Sequence, residues 1–182
     1  NVDRHGKHTW VHELVLSRLR SGRNFKEGKD VGVIGQNGVG AACTNYCSSE
    51  FEVVVHRDKK KYHQKFIDGV EKVSRPKITD SAVHSGTSVS FQLDPAVFKD
   101  VRLPDDLIRN RAIEIAMTNP DVTVEYNGTK YRYKKGLQEV VGQIAGDKLS
   151  YCFTIDEANL TGEIYVVFNA HDGIDEQMYT WV

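Results

Sequence analysis

Three glycines crowd the run Val33-Ile34-Gly35-Gln36-Asn37-Gly38-Val39-Gly40, and Ala41-Ala42-Cys43-Thr44-Asn45 follow as the small residues of a helix start. Glycine reaches positive φ and leaves bare backbone N–H groups close to a ligand. A helix N-terminus adds unpaired donors and a partial positive charge. The combination suits a polyanion, and a nucleoside triphosphate is its usual guest. The same letters also fit a tight turn that lets a helix pack closely. Three glycine motifs do not fit. A P-loop ends in Gly-Lys-Ser/Thr, and Gly40 is followed by Ala41-Ala42. The dinucleotide pattern, started at Gly38, puts Cys43 where its third glycine belongs. The protein-kinase pattern fails at the same place.

Hydrophobic spacing marks the elements that must position this loop. Trp10, Val11, Leu14, Val15 and Leu19 lie on one stripe and predict an amphipathic helix over residues 8–19, ended by Gly22. A long loop rich in glycine and charge fills 22–38, and a small-residue helix is expected from 39 to 48. Phe51, Val53 and Val55 alternate with Glu52, Val54 and His56, as in a strand. Residues 62–67 form its hairpin partner, with the turn at Asp58-Lys59-Lys60. A third strand covers 86–93, with Val89, Phe91 and Leu93 on one face. Pro104-Asp105-Asp106 opens a helix to about Thr118, and Pro120 stops it. Asn127-Gly128 is the preferred pair for a type I′ turn between strands at 122–126 and 129–133. A short helix at 137–144 precedes a boundary near Gly146-Asp147. Three strands are then expected at 149–155, 163–169 and 177–182. Interleaved strands and helices with frequent hairpins define an α+β class.

The glycine run also resembles the ATP lid of the GHKL ATPases, in the form carried by type II DNA topoisomerases such as the gyrase B subunit and the large subunit of phage topoisomerases. The family lid reads Gly-Gly-x-x-Gly-Val-Gly and leads into a helix with Asn and Ser. Gly35, Gly38, Val39, Gly40, Asn45 and Ser48 match it, while Ile34 replaces the first glycine. Other segments agree in order and spacing. The run from Glu13 to Phe25 resembles the helix and Ala-Gly-Gly-Lys/Asn-Phe loop before the lid. Arg57 falls where the gyrase-like hairpin carries its arginine. Gly86-Thr87-Ser88-Val89-Ser90-Phe91 resembles the family's Gly-Thr-x-Val-x-Phe strand, and Asp94 to Phe98 continues it. Residues 111–116 and Asn119-Pro120 resemble the helix that follows.

The resemblance implies a partial GHKL (Bergerat) ATPase domain, an α/β sandwich, at 1–145, and the first strands of a transducer domain at 146–182. It implies that the N–H groups of Gln36, Asn37, Gly38, Val39 and Gly40, with Gly35 in the same lid, hold the β- and γ-phosphates of ATP. Asn24 stands where many gyrases place a lysine near the phosphates, and Thr87 is expected at the adenine end. Both also suit ordinary roles, a loop-capping Asn and a strand Thr. The family's water-polarising glutamate, its Mg²⁺-holding asparagine and its adenine-binding aspartate find no match in this chain. Asp30-Val31-Gly32-Val33-Ile34 imitates the adenine motif, but Ile34 stands where a glycine belongs and the run lies inside the lid. The lysine that reaches the γ-phosphate has no match either. The chain is thus expected to be an internal piece holding the phosphate cradle, with no catalytic residue and little or no turnover alone. The Mg²⁺ ligand is expected outside it. In the family, ATP binding closes the lid and dimerises two ATPase domains around a DNA duplex, which passes through a break made by a DNA-cleavage subunit or domain. Two rival readings stand beside this one. The first is a non-catalytic interaction module, or a split-gene piece that needs a second polypeptide to bind ATP. The second is another GHKL member, such as a mismatch-repair or chaperone ATPase.

Composition narrows the classes further. The 182 residues suffice for one good core, with 40% apolar and 27% charged residues and a net charge of −1. That balance gives no global basic field for DNA. No apolar run approaches membrane-spanning length, and no signal-peptide pattern opens the chain. The expected compartment is the cytoplasm of a bacterial cell or a phage-infected host. Cys43, Cys47 and Cys152 form no C-x-x-C pair and are expected as buried, reduced thiols. Arg57, Lys59, Lys60, Lys61, His63 and Lys65 form the densest basic patch, which suits DNA phosphates. A solvated hairpin accounts for it better, because no base-stacking aromatic array accompanies it. His5 and His8 lack a third ligand at metal-binding spacing.

Overall fold

The computed structural model describes residues 9–21, 37–145, 150–157 and 160–167. The chain divides into two compact units, Asn1–Arg102 and Leu103–Val182. The first contains helices α1 (Val11–Ser17) and α2 (Gly40–Tyr46) and strands β1 (Ser48–Arg57), β2 (Lys60–Ile67), β3 (Lys72–Val73), β4 (Lys77–Asp80) and β5 (Gly86–Leu93). The strands pair antiparallel in the order β3-β2-β1-β5, and β4 shares the outer edge of β2 with β3.

Alternation decides which side of the sheet is buried. Phe51 pairs with Phe66 and Phe91, Val53 with Gln64 and Val89, and Val55 with Tyr62 and Thr87. Directly paired residues share a face. Leu16 of α1 packs on that face against Phe51, Val53 and Phe66, with Val55 and Val70 beside them. The Phe51 ring meets Phe66 edge-on at 6.0 Å and stacks on Phe91 at 6.1 Å. The hairpin between β1 and β2 turns on Asp58 and Lys59, both at positive φ, so Lys60 already belongs to β2. Strand β5 has the residue bounds that its alternation predicts.

Helix α1 departs from expectation. It spans two turns, because Arg18 goes extended and Arg20 turns to φ 58°. Its inward residue is Leu16, while Trp10, Val11, Val15 and Leu19 of the predicted stripe stay exposed. The cause is polar. Gln64, buried on β2, donates to Glu13 Oε2 at 2.8 Å and to Ser74 O at 2.8 Å, which turns the Glu13–Leu16 side of the helix inward. The cysteines also differ from expectation: Cys43 and Cys152 are exposed and Cys47 is half-buried. Ala42 and Asn45 take the inward face of α2, which leaves Cys43 outside. Cys152 sits on a two-stranded ribbon beside the exposed Tyr151 and Phe153.

The second unit contains α3 (Asp105–Thr118), the ribbon β6–β7 (Val124–Tyr126, Thr129–Tyr131), α4 (Leu137–Ala145) and the ribbon β8–β9 (Ser150–Glu157, Leu160–Val167). Pro104 precedes α3, Asp105 and Asp106 occupy its first turn, and Asn119 closes it by donating to Ile115 O. Asn127 and Gly128 carry the two positive φ angles of a type I′ turn. Tyr126 Oη donates to Asp105 at 2.6 Å and ties this ribbon to the start of α3. The strand expected at 177–182 lies outside the described residues.

Two predictions follow from this packing. Gly69 has φ +62°, and a Cβ there would stand 2.6 Å from Tyr46 O, whereas Gly128 at φ +78° faces open space. Gly69→Ala should cost about 3 kcal/mol, from backbone strain plus overpacking, and Gly128→Ala about 1–2 kcal/mol from strain alone. Urea unfolding of the two variants checks the difference. Burial beside Trp10 and Tyr62 holds the His12 imidazole below its ordinary value, against weaker opposing effects of Gln64 and Glu13. The unfolded chain therefore takes up that proton first as pH falls, so stability is lost below the ordinary histidine value of about 6.5. The urea midpoint should fall less between pH 7.5 and pH 5.5 in His12→Gln than in the wild type.

Candidate functional site

The glycine run enters the described structure at Asn37. Gly38 has φ 57°, and its carbonyl accepts the Arg20 N–H at 3.1 Å. That bond brings the two ends of segment 21–37 together. Val39 then leads into α2 with φ −116° and ψ −28° and gives no side-chain cap. The first N–H used inside the helix is that of Cys43, bonded to Val39 O at 2.9 Å. The amides of Gly40, Ala41 and Ala42 are thus left for a partner from outside the helix. Asn37 and Gly40 are exposed, and a Cβ built on Gly40 meets nothing within 4 Å. The Gly40 position therefore faces open space, while Ala42 in the same turn is buried. Asn24, Gly35 and Gln36 lie outside the described residues.

Thr87 sits near the start of β5, opposite Val55. It lies on the sheet face against which α1 packs. Toward β5 that face is bare: Thr87 is exposed, and Val89 and Phe91 remain 45% and 43% accessible. Thr87 and α1 thus share one side of the sheet, on which Val89 and Phe91 are uncovered. The sequence pattern did not single out Arg20 and Tyr46 as parts of this arrangement, and marked Asn45 only as a match to the family lid. Their contacts join residues far apart in the chain, so no local pattern reports them.

The opposite face is polar. Glu52 meets His63 Nε2 at 2.6 Å and Lys65 Nζ at 3.0 Å, and the Lys65 hydrogen bond, chiefly, holds its carboxyl below the usual range. A shallow cavity of about 130 Å³ lies beside them, lined both by polar residues, among them Glu52, Lys65 and Gln92, and by the apolar Phe51, Ile67 and Phe91. That is small beside the several hundred Å³ of a typical small-molecule site. The basic patch is neutralised at three points, Arg57 by Asp58, Lys60 by Asp80 and Lys65 by Glu52. Among the described residues no group of three His, Cys, Asp or Glu is placed to hold a metal ion. No described helix is long and apolar enough to cross a membrane.

Comparison with known proteins gives this geometry a context. No protein-family model matches the sequence. The type 2 topoisomerase B subunit of Aquifex aeolicus is 31% identical over 135 residues, 71% of this chain and 17% of that protein. The DNA topoisomerase 4 B subunit of Staphylococcus aureus is 27% identical over 181 residues, 93% of this chain and 27% of that protein. The chain thus spans about a sixth to a quarter of the length of these curated relatives. The crystal structure of the ATPase region of Saccharomyces cerevisiae topoisomerase II matches with a TM-score of 0.69 at 22% identity, over 86% of this chain and 42% of that one. The sequence relatives give the family and the yeast structure the fold: this chain belongs to the type II DNA topoisomerases and is built like part of their ATPase region.

Proposed function

We propose that this chain is the ATP-binding part of a type II DNA topoisomerase, an enzyme that couples ATP binding and hydrolysis to the passage of one DNA duplex through another. The observation that carries the reading is the open start of α2, where a Cβ built on Gly40 meets nothing within 4 Å and the first amides have no partner inside the helix. A Cβ at Gly40 would stand in that space, so the position suits a phosphate laid against backbone. The amides of Gln36 to Gly40 hold the β- and γ-phosphates, Gly35 lets the lid bend, Asn24 adds a neutral donor and Thr87 meets the adenine end. Bound ATP supplies the free energy for gate closure. The residues of this chain grip and orient it, while Mg²⁺ is held by a ligand outside the chain. Residues 1–145 are the ATPase portion and 146–182 open the transducer. The full protein works in the cytoplasm as a homodimer of ATPase domains, with DNA and a DNA-cleavage subunit or domain as its partners.

A second reading, a piece completed by another polypeptide, draws on β5. Its eight residues carry no charge and no proline, and no strand flanks its outer edge among the described residues. Edges that stay in water are usually guarded by such residues. Here the apolar side chains Val89 and Phe91 are also uncovered.

One titration tests both readings. A non-hydrolysable ATP analogue with Mg²⁺ is added to the chain alone, and then with a polypeptide carrying the missing ATPase segments. Binding by the chain alone supports the first reading, and binding only in the mixture supports the second. Binding in neither leaves an inert module and removes both. In whichever sample binds, Gly40→Ala should weaken the analogue at least about ten-fold, because its methyl occupies the phosphate side. The fold should hold or gain up to about 1 kcal/mol, because alanine favours the helix. Unchanged affinity in Gly40→Ala would remove Gly40 from the cradle.

A further inference from the structure

Helix α1 ends at Ser17, and the last carbonyls of a helix lack partners within it. Two successive side chains of α2 supply them. Asn45 Nδ2 donates to Leu16 O at 2.9 Å, and Tyr46 Oη donates to Ser17 O at 2.6 Å. Just beyond α2 the backbone is fixed twice more, by the Asp94 N–H on Cys47 O and the Gly69 N–H on Ser48 O, each at 3.0 Å. The other end of α2 opens at Gly40. The helix is therefore anchored at its tail and open at its head.

Asn45 is 1% exposed, yet its Oδ1 has no partner among the described residues. A buried amide that uses only one end forfeits stability at the other. An apolar side chain there would remove that loss but leave Leu16 O unpaired in its place, so the amide brings little net stability. What the amide provides is geometry, since its N–H fixes where α2 crosses the end of α1. The Tyr46 hydroxyl adds a second fixed point one carbonyl further on, and two points set a direction.

We propose that Asn45 and Tyr46 are positioning residues for the nucleotide site. By capping Leu16 and Ser17 they set the angle of α2, and so the direction in which the amides from Gly38 to Ala42 point. This assignment rests on the nucleotide reading above and adds the side chains that aim the cradle. The Arg20–Gly38 bond closes the same corner from the loop side.

Asn45→Leu and Tyr46→Phe test it in the whole chain, with three readouts. Asn45→Leu removes one unpaired acceptor and creates another, so its melting temperature should stay within about 3 °C of wild type. Hydrogen-exchange protection of the α2 amides should fall about ten-fold in either variant, while β1 and β2 keep theirs. Affinity for the non-hydrolysable ATP analogue should fall about ten-fold, a loss of aim without a loss of fold. Unchanged α2 protection overturns the proposal. So does a parallel fall in melting temperature, sheet protection and affinity, which marks a merely structural role. Normal affinity in both variants with loosened α2 also overturns it. A wild-type protein that takes up no analogue, even with the second polypeptide present, overturns the nucleotide reading itself. That failure shows in the wild type, before any variant is compared.

Discussion

Helices of two turns do not hold themselves in water, because nucleation costs more than so few bonds return. Helices α1 and α2 are each seven residues long, and each is ordered by what it touches. Leu16 seats α1 on Phe51, Val53 and Phe66, and Gln64 fixes its rotation through Glu13. The amide of Asn45 and the hydroxyl of Tyr46 then join α2 to the free carbonyls of α1. The position of the glycine run follows from that junction. Its one described foot is bonded to Arg20, just past the end of α1, and its exit is the first turn of α2.

The sheet gives the junction a floor on one side and leaves the floor unfinished. Where β1 and β2 meet, the rings of Phe51 and Phe66 are buried, and Phe66 is wholly sealed. One strand further on, Phe91 still stacks on Phe51 but lies open to solvent on its outer side. The opposite face carries the Glu52–Lys65 ion pair, with His63 also against Glu52, and so needs no cover. The chemical asymmetry of the two faces is thus sharper than the layer count suggests.

Much of this was legible in the letters. The spacing of Phe51, Val53 and Val55, and the alternation along β5, suggested strands, and Asn127-Gly128 suggested the type I′ turn. Gly38 takes the positive φ that the glycine run suggested, and the surrounding motifs pointed to the family. Other features were hidden because they are tertiary. Which side of α1 faces inward depends on the need of Gln64 for a partner, a bond that spans 51 positions. The capping by Asn45 and Tyr46 spans 29. The turn Asp68-Gly69-Val70 takes three positive φ angles in succession, and a β-branched valine there gives no local warning. Strands β3 and β4 are too short to show a period. The cysteines were misplaced because a small thiol fits a core or a surface equally well, and the inward face of α2 went to Ala42 and Asn45.

Residue-resolved amide spectroscopy puts the account at risk in a single experiment. Under saturating non-hydrolysable ATP analogue with Mg²⁺, in the sample that binds it, the largest amide shifts should fall on Asn37 to Ala42, with a second cluster at Thr87 and Val89. Shifts confined to the basic hairpin around Arg57 to Lys61, or a glycine run that stays silent under saturation, would contradict it.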